Sequence, residues 1–228
     1  MFPLPSHEQR VAELFLERLR CYLTQIGRLG FPPVRLRIRK RCGEGILGGF
    51  AEVPRAEAAY LFSREVLQAM ERAVEDLAAD SPRGRFYFLC GSFDDFFPYR
   101  ERYVQLAQRL GTVRVFGSGD VPEDCPGIEF LTCDPRKLSR YRLVLLEGPK
   151  RHATVFCRRA LTGSCSDGKE VFVGFYSVNP IMTSFLRWWV QIVPCGVERV
   201  LEQWEKPLLL PEVSPAELER FLRECNGR

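Results

Sequence analysis

Histidine is nearly absent from this chain: His7 and His152 are the only two in 228 residues. That scarcity weighs against chemistries that lean on imidazole, general-base catalysis and zinc ligation among them. No G-x-S-x-G elbow occurs. His152 and Cys157 lie five apart on a predicted strand, which puts them on opposite faces. The nine cysteines are odd in number, scattered, and never form C-x-x-C. Neither a zinc set nor a disulfide framework is expected, and the cysteines read as small hydrophobes in a reducing cytosol.

Phosphate-binding loops are missing too. "GEGILGG" and "GSGD" are glycine-rich, but neither fits G-x-x-x-x-G-K-S/T, nor G-x-G-x-x-G between a strand and a helix. No motif names a cofactor, and no metal is expected. No apolar run reaches the roughly 20 residues that span a bilayer. The nearest, "FLRWWVQIVPCGV", is broken by Arg187, Gln191 and Pro194. The opening "MFPLPSHEQR" lacks the basic-then-apolar pattern of a secretory signal, so a cytoplasmic protein without a membrane partner is expected. A net charge of +4, from 33 basic and 29 acidic side chains, is too small to indicate nucleic acid by itself.

What is present reads as helices and strands in mixed order. Val11, Leu14, Phe15, Leu19, Tyr22, Leu23 and Ile26 recur at helical spacing over residues 8–29. "VRLRIRK" alternates an apolar with a basic face. A helix is predicted over 62–79, with Ser63 as a candidate N-cap and Val66, Leu67, Met70, Val74 and Leu77 inward. "RFYFLCG" is apolar on both faces and so predicts a central strand. A loop then leads to a helix with Tyr99, Tyr103, Leu106 and Leu110 along one side, and Asp94 or Asp95 is expected to cap it.

Strands follow at "VRVFG", "IEFLTC" and "RLVLLEG", and "HATVFCRRAL" with "EVFVGFYS" reads as an antiparallel pair. Asn179 and Pro180 open a further helix, and Ser214 to Glu217 is a capping box on the last one. The fold class expected is α+β: a mixed sheet of about five to six strands packed with helices, plus N- and C-terminal helical extensions. The division expected is 1–55, an N-terminal helix and basic strand; 56–194, the main domain; and 195–228, a helical tail.

Three features invite functional readings. The arginine face Arg35, Arg37, Arg39, with Lys40 and Arg41, is either a charged edge strand that resists edge-to-edge pairing or a contact for an acidic partner or nucleic acid. Nucleic acid is the lesser expectation, since base-stacking aromatics are absent from the strand. Trp188 and Trp189, adjacent on a helix, cannot face one way; one packs inward, and the other suits a homodimer patch or packing under the C-terminal helix. The third is "CGSFDDFFPYRERYVQLAQRL", where an acidic pair and two arginines sit among aromatics. It is either a packed corner or a pocket lined by aromatics and oriented by Asp94, Arg100 or Arg102. Cys90 beside it is the least unsuitable nucleophile if the protein is an enzyme.

Taken in order, "LFSREVLQAMERAVEDL", "LCGSFDDFFPYRERYVQLAQRLGTVRVFG" and "FVGFYSVNP" resemble the DICT sensory domain, a family associated with diguanylate cyclases and two-component systems. The matching positions are Glu75 and Asp76 in "AVED", Ser92 and Phe93 after the strand, Arg102 and Tyr103 on the next helix, and "VRVFG". Tyr141 stands where the family usually has tryptophan, and Ser177-Val178-Asn179-Pro180 replaces a more acidic turn. The resemblance spans about residues 60–192. It implies a stand-alone, non-enzymatic sensor or adaptor, light- or redox-linked, whose partner is a histidine kinase, a cyclase or a photoreceptor.

On that reading the ligand or partner site comprises Glu71, Glu75, Asp76, Ser92, Phe93, Asp94, Arg100, Arg102 and Tyr103. Glu71 and Glu75 share a helix face, with Asp76 displaced by about 100°. If that face meets Arg100 or Arg102, an ion pair would latch the corner in one of two states.

Overall fold

The computed structural model describes residues 6–26, 34–36, 59–134, 140–160, 170–192, 210 and 213–226. Strands β1 (Val34–Leu36), β2 (Ala59–Ser63), β3 (Arg85–Leu89), β4 (Thr112–Gly117), β5 (Ile128–Thr132), β6 (Tyr141–Glu147), β7 (His152–Arg159) and β8 (Val171–Ser177) form one mixed sheet. Its order is β1-β2-β8-β7-β6-β3-β4-β5. The β3–β4 and β4–β5 pairings are parallel, and all the others are antiparallel.

The α+β class stands, but eight strands replace the expected five to six. One added strand is β2, whose last two residues fall within the helix that the sequence predicts over 62–79. Phe62 and Ser63 instead pair with Phe172 and Val171 of β8. Helix α2 (Arg64–Ala79) therefore begins two residues later, with Ser63 as its N-cap accepting from the Val66 amide.

Period-two alternation sorts the strand side chains between two cores. Phe86 and Phe88 of β3, Val113 and Val115 of β4, and Val144 and Leu146 of β6 face α2. Tyr87, Leu89, Phe116, Leu143 and Leu145 face the opposite side, against Phe185, Leu186 and Trp189 of α4 (Pro180–Ile192). On the first face, α2 buries all five of its predicted inward residues. Each large apolar side chain buried this way stabilises the fold by roughly 1.5–3 kcal/mol.

Helix α1 (His7–Ile26) packs beside α2 through Val11, Phe15 and Leu19, and Phe15 stacks on Tyr176 at 5.0 Å. The last helix, α5 (Pro215–Asn226), inserts Phe221 against Leu61, Val171 and Val173. The elements expected as N- and C-terminal extensions thus pack into the cores of the main sheet.

The caps at Asn179 and Ser214 form as predicted. Asn179 Oδ1 accepts from the Ile181 and Met182 amides, and Ser214 exchanges bonds with Glu217. Trp189 is buried against Tyr141 and Phe156, while Trp188 is half-buried beside Phe185. Among the described residues, no helix is long and apolar enough to cross a membrane.

The stretch after β3, expected as a loop, is a 3-10 helix (Phe93–Tyr99) that runs directly into α3 (Arg100–Ala107). Its cap is Ser92, which accepts from the Asp94 amide; neither aspartate caps α3, correcting that expectation. The preceding turn supplies an acceptor for the Arg100 amide instead, the Phe97 carbonyl. Gly117 at the end of β4 makes the corner possible: a Cβ there would come within 2.8 Å of the Phe93 ring.

Candidate functional site

Helix α2 carries two carboxylates on its buried face. Four residues apart and one turn along, Glu71 is 0% and Glu75 1% exposed. Burying a carboxylate among Leu67, Met70 and Val74 is costly unless partners meet it, and each is met from a different element.

Glu71 is held by β6 and the corner. Arg142 donates to Oε1 from Nη2 at 3.1 Å and from Nε at 3.3 Å, and the Tyr99 hydroxyl donates to Oε2 at 3.1 Å. The Arg142 guanidinium also lies over the Phe88 ring, 5.2 Å from its centre. Glu75 is held by α3. The Tyr103 hydroxyl donates to Oε1 at 2.9 Å, and Arg102 Nε stands 2.6 Å from Oε2 as an ion pair. Arg102 reaches on to Asp76, with Nη2 at 2.6 Å from Oδ1, and Tyr22 of α1 donates to Asp76 Oδ2 at 2.6 Å.

Phe86, Phe88, Phe96 and Tyr99 surround the Tyr103 ring with centroids 5.2 to 5.8 Å away. Five elements, α1, α2, the 3-10 helix, α3 and β6, are tied together by this network inside an aromatic shell.

Burial dominates the electrostatics. Loss of solvent lifts the Glu75 carboxyl to about 7, outweighing the opposing pull of Arg102 and Tyr103. Burial, and then Glu75, hold the Tyr103 hydroxyl well above its usual range, so it remains a donor. Tyr99 is raised in the same way, by burial and then by Glu71. An ion pair at 3 Å gains about 5 kcal/mol at an effective dielectric near 20. Desolvation takes back several kcal/mol per ion. The net stabilisation is therefore small, and the network's main effect is to select one arrangement of α2 against α3.

The site residues expected from sequence divide into two groups. Glu71, Glu75, Asp76, Arg102 and Tyr103 come together, and of the two candidate arginines it is Arg102 that meets the acidic face. The others stand apart. Arg100 donates to the Asp124 carbonyl at 3.0 Å and so tethers the loop 118–127. Ser92 is a cap and Asp94 is exposed. Phe93 is 1% exposed, packed edge-on against Phe130. Phe93 and Phe96 of the corner are packed core, whereas Phe97 is exposed and Asp95 and Tyr99 border an open recess.

Arg35 lies on the edge strand β1, opposite Tyr60, and Arg37, Arg39, Lys40 and Arg41 lie outside the described residues. Cys90 is fully buried, and loss of solvent pushes its thiol up to about 12, which removes the thiolate a nucleophile needs.

Sequence reasoning missed Arg142, Tyr99 as a ligand of Glu71, and Tyr22. Arg142 did leave a signal: it shares a strand face with Val144 and Leu146, where an arginine has no solvated side. Beside the network opens a recess of about 200 Å³, bordered by Gln68 and Glu71 of α2, Asp95 and Tyr99 of the corner, and Arg142 of β6. Glu71, Tyr99 and Arg142 thus belong to both the buried network and the recess.

Comparison with known proteins adds little. No family model matches the chain, and no curated protein does. A solved polyphosphate kinase from Porphyromonas gingivalis is similar over 53% of this chain and 23% of its own, at 14% identity and a TM-score of 0.35. A likeness at that level says nothing of activity.

Proposed function

We propose that this protein is a non-catalytic sensory or adaptor module of cytoplasmic signal transduction, binding a small ligand or a signalling protein. The observation that carries the reading is the Glu71–Tyr99–Arg142 group, which joins a buried ionic network to an open recess. Buried ion pairs add little net stability, and apolar side chains of similar volume often serve as well or better. A network of this kind is suited to holding one packing of α2 against α3 and releasing it when a contact at Tyr99 or Arg142 changes.

Glu75 has a proton affinity suited to acid–base work, but its oxygens face Tyr103 and Arg102 inside packed core, out of a substrate's reach. The resemblance to the DICT sensory domain supports the same reading, and it points to a histidine kinase, cyclase or photoreceptor as the partner class.

The test is native mass spectrometry on protein isolated from its own cells, wild type beside Tyr99→Phe. A stoichiometric small molecule or signalling protein kept by wild type and lost from the folded variant supports the reading. A bare chain in both, or a companion indifferent to the substitution, rejects it.

A further inference from the structure

His7 and His152, the two histidines of the chain, stand at one junction of the fold. His7 is the first residue of α1. Its Nε2 donates to the Lys150 carbonyl, in the turn 148–151 between β6 and β7 and 143 residues further along the chain. His152 follows as the first residue of β7, opposite Glu147 of β6. It is half-buried, and among the described residues its buried Nδ1 has no hydrogen-bond partner.

A proton on either ring meets an unfavourable setting. A charged imidazole carries a hydrogen on both nitrogens, so protonated His152 holds a buried N–H with no acceptor. His7 sits at the N-terminus of a 20-residue helix, where the positive end of the helix dipole opposes a cation. The charges nearby do not compensate. Glu147 already pairs with Arg85 of β3 at 3.5 Å and with Arg187 of α4 at 3.3 Å, and it accepts from Ser184. Asp80, at the end of α2, pairs with Arg151 at 3.5 Å, and Lys150 adds a positive charge to the turn. Glu8 of α1 favours protonation, but it is exposed and screened by solvent. In sum, loss of solvent holds the His152 proton affinity below the usual histidine range; Glu147 opposes, His7 adds to the lowering, and Glu8 opposes weakly.

We propose that this junction is an acid-released latch: charge on His152 and His7 frees the N-terminal end of α1 from the β6–β7 turn. Phe15, stacked on Tyr176, and Tyr22, bonded to Asp76, keep the rest of the helix docked. Release uncovers Val11, 3% exposed when docked, and so gives the module an apolar surface that depends on pH. The latch needs no ligand in the recess and goes beyond the sensory or adaptor reading. Its sign is fixed by linkage. The docked state binds the His152 proton less tightly than the released state does. Docking is therefore full above the usual histidine value of 6.5, weakens as pH falls through it, and levels off below the lowered value.

Amide hydrogen exchange resolved along α1, at about pH 7.5 and about pH 5 and corrected for the intrinsic exchange rate, tests this. Protection of amides 11–14 should fall about tenfold on acidification, the equivalent of one unit of histidine shift, while amides 19–23 hold theirs. His7→Gln, at an exposed position, keeps a donor for the Lys150 carbonyl and should remove part of the fall. With His152→Gln added, protection of amides 11–14 should no longer change with pH. Glu75, whose carboxyl is lifted to about 7, acts at the Tyr22 end of the helix and is common to all three proteins.

Protection of amides 11–14 that does not fall in the wild type overturns the proposal. So does a fall that persists in the double variant, which would belong to carboxylates, or one shared equally by amides 19–23 and α2, which is general unfolding. Should the double variant fail to fold, His7→Gln alone decides, and a fall as large as in the wild type overturns the latch.

Discussion

Replacing Glu75 with glutamine tests whether burial or Arg102 governs the network. In the folded protein the carboxyl is lifted from 4.5 to about 7, first by loss of solvent, with Arg102 and Tyr103 opposing, Glu71 adding and Arg72 subtracting. The folded state therefore binds the proton more tightly than the unfolded chain. With respect to this group, stability is greatest below pH 4.5, falls as pH rises through the window, and levels off above about 7. The total change is about 3 kcal/mol at 1.36 kcal/mol per unit.

Glutamine does not titrate, and its oxygen still accepts from Tyr103. Its amide facing Arg102 lowers stability by an amount that does not vary with pH. The difference in unfolding free energy, Glu75→Gln minus wild type, should thus move by about 3 kcal/mol in the variant's favour between pH 4.5 and pH 8. Urea melts of both proteins across that range measure it, and the other titrating groups largely cancel in the difference. A flat difference refutes the burial account. A shift in favour of wild type means that Arg102 outweighs burial.

Other outcomes follow from the packing. Arg142→Met leaves the Glu71 carboxylate, 0% exposed, without its cation and should cost about 3–5 kcal/mol in urea unfolding; adding Glu71→Gln should recover most of that. Gly174→Ala places a Cβ 2.4 Å from both the Cys157 Cβ and the Phe156 carbonyl oxygen, between central strands that cannot separate. It should lower stability by more than about 3 kcal/mol or abolish soluble expression, and a normal melting temperature would contradict it. A thiol reagent applied to the native protein and followed by peptide mapping should modify exposed Cys21 at once, and Cys90 and Cys157 only after unfolding, since burial raises both buried thiols.

Much of this protein was legible in one dimension because the governing forces are local. The inward face of α2, the two-sided β3, and the caps at Ser63, Asn179 and Ser214 depend on side-chain spacing and on orphan backbone amides a few residues away. Glu71 and Glu75 could be placed on one helix face for the same reason.

What the spacing could not supply was the partner of each charge. Arg142 reaches Glu71 across 71 residues, and Tyr22 reaches Asp76 across 54. Those meetings follow from sheet order, which sets β6 beside β3 under α2, and from the docking of α1. β2 was hidden for a related reason. Five residues of mixed character become a strand only because β8 offers an edge for them. The sequence alone determined most of the helices and strands and which of their faces are apolar. The tertiary structure decided which buried charges meet, that Phe93 and Phe96 of the corner are packed core, and that a recess opens at its Asp95 and Tyr99 edge, since pairings over such distances are set by how whole layers stack.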